Sequence, residues 1–159
     1  MNLFGVMETS GSAMLAERMR AEVVAANMAN AETTHTTDGG PYRRQQVVFA
    51  ADRGDPDFLN SMASATAAGT ATPLSIGGST GVAPGVHVAQ VVTDPSPPLM
   101  RYDPGHPDAD ASGYVAYPDI NPVTEMVDLM GATRAYGLNG SAVQAEKSMI
   151  ASALDIVKA

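Results

Sequence analysis

The chain has 159 residues, 45% of them apolar, yet Trp is absent, Phe occurs only 3 times and Tyr only 5, a thin supply of bulky core for one compact globule. A net charge of -8 argues against a nucleic-acid binder, and a chain without cysteine has neither disulfides nor thiolate metal sites. The N-terminal stretch MNLFGVMETSGSAMLAERMR has no basic leader and no run of 18 apolar residues follows, so neither a Sec signal nor a membrane span is expected.

Residues 3 to about 31 read as one helix, rich in Ala, Met, Leu, Glu and Arg and free of Pro. Its apolar pattern is diffuse because Ala is everywhere. Near its end stand Asn27 and Asn30, one turn apart, in a setting of good helix formers. Asn is a poor interior residue because its amide competes for backbone. Both amides are therefore expected to bond neighbouring backbone where the helix ends and the chain turns extended.

The middle, residues 33–121, is different. YRRQQVVFA (42–50), GVHVAQVV (85–92), LMRY (99–102) and GYVAYP (113–118) are strand candidates, separated by turns such as DPSPP and DPGHPD. Residues 60–81 are small and low in complexity and read as a loop. His35, His87 and His106 show no ligand spacing. His87, out of phase with Val86 and Val88, is a solvent-facing strand residue on this pattern. Arg43 and Arg44 are either a solvated edge or a contact to an acidic neighbour.

One segment has metal-loop spacing. Asp108, Asp110, Ser112, Gly113 and Asp119 fall on positions 1, 3, 5, 6 and 12 of a calcium loop. Pro104, Pro107 and Pro118 deny it flanking helices, and Asp at position 12 is short for a bidentate ligand. The alternatives are a polar turn leading into the strand at 114–117, or a secreted calcium-binding or adhesion module that uses the 108–119 loop. No nucleophile elbow or phosphate loop occurs, so no enzyme and no cofactor is expected.

Asn121-Pro122 starts a second helix, with Asn as N-cap, Pro at the first helical position, and Glu125 and Asp128 near the positive end. A strict 3/4 spacing lands on Met126, Leu129, Thr133, Tyr136, Gly140, Val143, Lys147, Ile150, Leu154 and Val157, mostly apolar over more than four heptads. At about 1.5 Å per residue the helix runs ~55 Å, longer than a small domain is wide. The expected fold is thus α+β. Long terminal helices pair as a coiled-coil-like module (1–32 with 122–159), with a β-rich segment (33–121) between them and an insertion at about 52–82.

NMANAETT, with Asn27, Ala29, Asn30 and Thr33, resembles the Asn-Leu-Ala-Asn-x-x-Thr motif that ends the first helix of flagellar axial proteins. Met28 replaces the usual Leu. DGGPYRRQQVVF and residues 102–139 resemble one branch closely, the proximal-rod protein C (FlgC) family, and KSMIASALDI resembles its final helix. The resemblance leaves out roughly residues 52–82. It implies a structural subunit of the basal-body rod, exported without a cleaved signal by the flagellar type III apparatus and located where the rod crosses the periplasm. Its partners are then other copies of itself and neighbouring rod proteins. The expected assembly residues are Asn27, Asn30, Met126, Leu129, Tyr136, Val143, Ile150, Leu154 and Val157.

Overall fold

The computed structural model describes residues 3–37, 39–51 and 85–158. The expected insertion at 52–82 lies outside them. The elements in chain order are α1 (Leu3–Ala29), β1 (Gln45–Ala51), β2 (Val86–Thr93), β3 (Leu99–Tyr102), β4 (Tyr114–Tyr117) and α2 (Pro122–Lys158). This is an α+β arrangement of two terminal helices and two small antiparallel sheets, β1–β2 and β3–β4. No described helix is long and apolar enough to cross a membrane.

The helices run antiparallel, as three contacts along them establish. Asn27 near the end of α1 bonds Glu125 in the first turn of α2, Arg20 meets Asp128, and the Met14 sulfur lies against Gly140. The side of α2 that α1 covers runs through Glu125, Asp128, Ala132, Ala135, Asn139, Ala142 and Glu146, all buried or half-buried. That 3/4 series lies one residue ahead of the apolar series in the sequence. Of the latter, Leu129, Gly140, Val143 and Ile150 are half-buried on the flank of the contact, and Met126, Thr133, Tyr136, Lys147 and Leu154 are exposed. The reason is steric. Three Ala and one Asn in this series leave room for α1, and the two long side chains in it, Glu125 and Glu146, are enclosed by the contact.

Among the described residues the buried apolar ones are few: Ala16, Val24, Val115, Ile120 and Ala132. Exposed large ones such as Leu15, Met130, Leu138 and Ile156 outnumber them. The thin core read from composition is therefore a property of the fold. Polar bonds tie α1 to the strands, through Asn27 to Gln45 and through the Ser12 hydroxyl, which accepts the Val86 N–H.

The strands follow their expected positions within a few residues. β1 and β2 pair from Gln45↔Thr93 to Ala51↔Val86, with a bulge that leaves Ala89 without a partner between the Val48↔Gln90 and Phe49↔Val88 pairs. Val86 and Val88 are half-buried and His87 is exposed between them. In the β3–β4 hairpin the rings of Tyr102 and Tyr114 meet edge to face at 5.4 Å. Gly113 has φ +80°, and a Cβ there would stand 2.9 Å from the Tyr102 ring. Gly113→Ala is expected to cost about 1–3 kcal/mol from the left-handed backbone alone, with the ring clash added. Thermal melting of the variant checks this.

Candidate functional site

The functional candidate is the joint where α1 ends, β1 begins and α2 starts. Helix α1 has to stop here and the chain turn extended, which leaves carbonyls at the helix end in need of donors. Asn30 closes the last turn: its backbone N–H and its amide Nδ2 both donate to the Ala26 carbonyl, at 3.1 and 2.9 Å, and its Oδ1 accepts from the Thr33 hydroxyl at 3.2 Å. The Thr33 carbonyl in turn accepts the Tyr42 N–H at 3.0 Å, which folds the loop back on itself.

Asn27 does something different. It is 1% exposed, and both atoms of its amide have two partners. Oδ1 accepts from the Gln45 N–H at 3.0 Å and the Tyr42 hydroxyl at 3.1 Å. Nδ2 donates to the Gln45 carbonyl at 2.8 Å and to Glu125 Oε2 at 3.1 Å. The side chain thus mimics a strand neighbour for Gln45 and ties both helices to the start of β1. It uses its full hydrogen-bonding capacity, as a buried amide must.

Glu125, also 1% exposed, accepts from Arg44 Nε at 2.7 Å through its other oxygen. Arg44 and Arg20 both reach Asp128, at 3.6 and 3.5 Å. A buried carboxylate costs several kcal/mol in desolvation, offset here by a charge-assisted bond and an amide. The paired arginines separate by direction. Arg44 turns inward to the acids and Arg43 stays exposed, as alternation along extended chain requires.

Burial pushes the Tyr42 phenol above its ordinary value, and the Glu125 carboxylate adds to the shift. Above the unfolded value of about 10, the unfolded chain ionises first, so this contribution to stability is present below pH 10 and lost as pH rises through the folded value. Tyr42→Phe is expected to lower stability by about 1 kcal/mol at neutral pH and to flatten the alkaline loss. Melts from pH 8 to 11 check it.

At the second helix start, Asn121 Oδ1 accepts the Val123 N–H at 2.9 Å, the capping role read from the sequence. The acidic loop is a turn. Asp110 Oδ1 accepts the Ser112 and Tyr114 N–H groups at 2.8 and 2.9 Å, and Asp108 accepts the Thr34 hydroxyl at 2.7 Å. Among the described residues no three His, Cys, Asp or Glu side chains are placed to hold a metal ion together.

The joint brings together Asn27 and Asn30 of the expected set. Met126, Leu129, Tyr136, Val143, Ile150 and Leu154 lie along α2 and not at the joint, and the side chain of Val157 is outside the described residues. Glu125, Asp128, Arg20, Arg44 and Tyr42 were not singled out as a cluster from the sequence. Glu125 was read only as a charge near the helix N-terminus. The available signal was the acidic and Ala-rich 3/4 series, which a search for large apolar residues passes over.

Two family models match the chain. One is described as flagella basal body rod protein, over residues 7–34, and the other as flagellar basal body rod FlgEFG protein C-terminal, over residues 111–156. These spans hold α1 with its asparagines, and β4 with α2. Over nearly full length the chain is similar to flagellar basal-body rod proteins FlgC. It is 38% identical to that of Borreliella burgdorferi, with 99% of each chain covered. It is 37% identical to that of Bacillus subtilis, over 99% of this chain and 100% of the relative, and 37% identical to that of Salmonella typhimurium, with 98% of each covered. With motif, helix pair and full-length similarity in agreement, the chain belongs to the flagellar basal-body rod protein FlgC family.

Proposed function

We propose that this chain is a structural, non-enzymatic subunit of the bacterial flagellar rod that polymerises through its terminal helices as part of the drive shaft for motility. The observation that carries the assembly reading is the mismatch between α1 and α2. The helices meet through small and polar residues and leave Leu15, Met126, Met130, Leu138 and Leu154 exposed. Exposed apolar surface of this extent marks a surface made to be covered. Residues 1–32 and 122–159 then act as one discontinuous assembly module, wound as a coiled coil, and 33–121 as a β-rich segment beside it. Its partners are copies of itself, neighbouring rod proteins and the flagellar type III export apparatus. Its location is the rod across the periplasm, reached without a cleaved signal.

In this reading Asn27 and Asn30 serve assembly by setting the angle at which the chain leaves α1, and the flank stripe from Met126 to Leu154 serves it by contact. The test is Leu154→Asp. The residue is exposed near the free end of α2, so the melting of the isolated subunit is expected to move by less than about 0.5 kcal/mol. Basal bodies from cells carrying only this variant are expected to lack complete rods. Normal rods and motility would remove the stripe from the interface. A rod density map in which labelled chain is absent would remove the function.

A further inference from the structure

We infer that the open face of the β3–β4 hairpin docks an arginine- or lysine-bearing loop of a different protein. The rod reading leaves this surface unused, and the inference does not depend on that reading.

The hairpin stands apart from the other described elements. No Cα of β3 or β4 lies within 8 Å of either helix or of the β1–β2 sheet. The register pairs Met100 with Ala116 and Tyr102 with Tyr114. Side chains alternate along a strand, so these four share one face, and Leu99, Arg101, Val115 and Tyr117 share the other. The second face is used within the subunit. Val115 is buried, and the Tyr117 ring has the Arg101 guanidinium over it at 5.7 Å and the His106 ring beside it at 6.1 Å. The first face is open: Met100 is 57%, Tyr102 64% and Tyr114 43% exposed.

The rings on this open face are nevertheless held in place. Tyr102 meets Tyr114 edge to face and lies so close over Gly113 and Pro104 that no Cβ fits at position 113. An exposed ring fixed in this way loses little freedom when a partner covers it, which suits it to be an anchor.

The surrounding charge selects the partner. Residues 99–117 hold three acids, Asp103, Asp108 and Asp110, and one arginine, Arg101, which is turned to the other face. Asp103 follows Tyr102, and Asp110 Oδ1 lies against the Tyr114 backbone, accepting its N–H at 2.9 Å. Among the described residues the open face therefore presents tyrosine rings and nearby carboxylates but no base. Ring faces attract a guanidinium or ammonium group, and carboxylates pair with it. The phosphates of nucleic acid or of an acidic membrane would meet like charge. So would a second copy, with its net charge of -8. At four residues, about 13 Å, β3 has room for one loop rather than a broad surface.

The test places benzoylphenylalanine, a photoreactive residue, at Met100 in the only copy of the chain in cells. A second strain carries it at Leu99, on the other face. Both positions are exposed, and melting of the purified variants checks the fold. Illumination is expected to join position 100 to one protein other than this chain, about tenfold more strongly than position 99. Mass spectrometry is expected to find the crosslink in a segment that carries Arg or Lys. That segment, made as a peptide, is then titrated against the purified full chain. Met100→Lys brings like charge to the contact and is expected to weaken binding about tenfold, whereas Met100→Glu leaves it unchanged or tighter. A ladder of the chain with itself, no adduct from folded variants, or equal adducts from the two positions would overturn the inference. So would a captured segment without a base, or equal loss with Lys and Glu, which would make the contact merely apolar. None of these readouts uses basal bodies, so absence of the chain from them would overturn the rod reading alone.

Discussion

Glu125→Ala is expected to destabilise the subunit by about 3–5 kcal/mol, the cost typical of breaking a buried ion pair from one side. The carboxylate bridges Arg44 at 2.7 Å and Asn27 at 3.1 Å while almost fully buried. Its removal leaves an amide N–H without its acceptor in the interior and a guanidinium whose remaining acid, Asp128, stands at 3.6 Å. Arg44 is partly solvent-accessible, so the loss falls toward the lower end of the range. Against a total stability of about 5–15 kcal/mol this is a large fraction. Chemical denaturation of the isolated variant measures it. Glu125→Gln, which retains an acceptor and the shape, should recover part of the loss. A change below about 1 kcal/mol for Glu125→Ala would mean that the joint does not hold the helices together.

Glu146→Leu is expected to act in the opposite direction, raising stability by about 1–3 kcal/mol, the cost of a buried unsatisfied polar group. Glu146 lies on the same face of α2 three heptads after Glu125 and is 4% exposed. Neither of its carboxylate oxygens has a hydrogen-bond partner among the described residues. Desolvation that Arg44 and Asn27 offset at Glu125 is left uncompensated here, and a Leu of similar volume removes it while adding apolar contact between the helices. The melting temperature is expected to rise by about 2–4 °C for each kcal/mol. A fall instead would show that the carboxylate is hydrated in solution. The pair of substitutions isolates the principle. Of two glutamates on one helix face, only Glu125 has hydrogen-bond partners among the described residues, and the same replacement is expected to cost more there than at Glu146.

The elements were legible in the sequence because their signals are local. Asn121-Pro122 started α2 where the cap and the fixed φ of proline put it, and short strand-like segments set off by Gly and Pro turns located the four strands of the described residues. Asn30 was legible for the same reason, since it caps the helix four residues behind itself. The motif around it also carried the family, because a resemblance needs only the order of residues. Which side of α2 meets α1 was decided by tertiary structure alone. The sequence offers two series one residue apart, one of large apolar side chains and one of Ala, Asn and acids. The partners on α1, Asn27 and Arg20 among them, select the second. The role of Glu125 was decided in the same way. Its partners Asn27 and Arg44 are 98 and 81 residues away, and a carboxylate on a helix reads as a solvated charge until folding encloses it with a guanidinium and an amide. Sequence determines where this chain can form helix and strand. The polar joint exists only when three segments distant in the chain satisfy one another's hydrogen bonds out of reach of water.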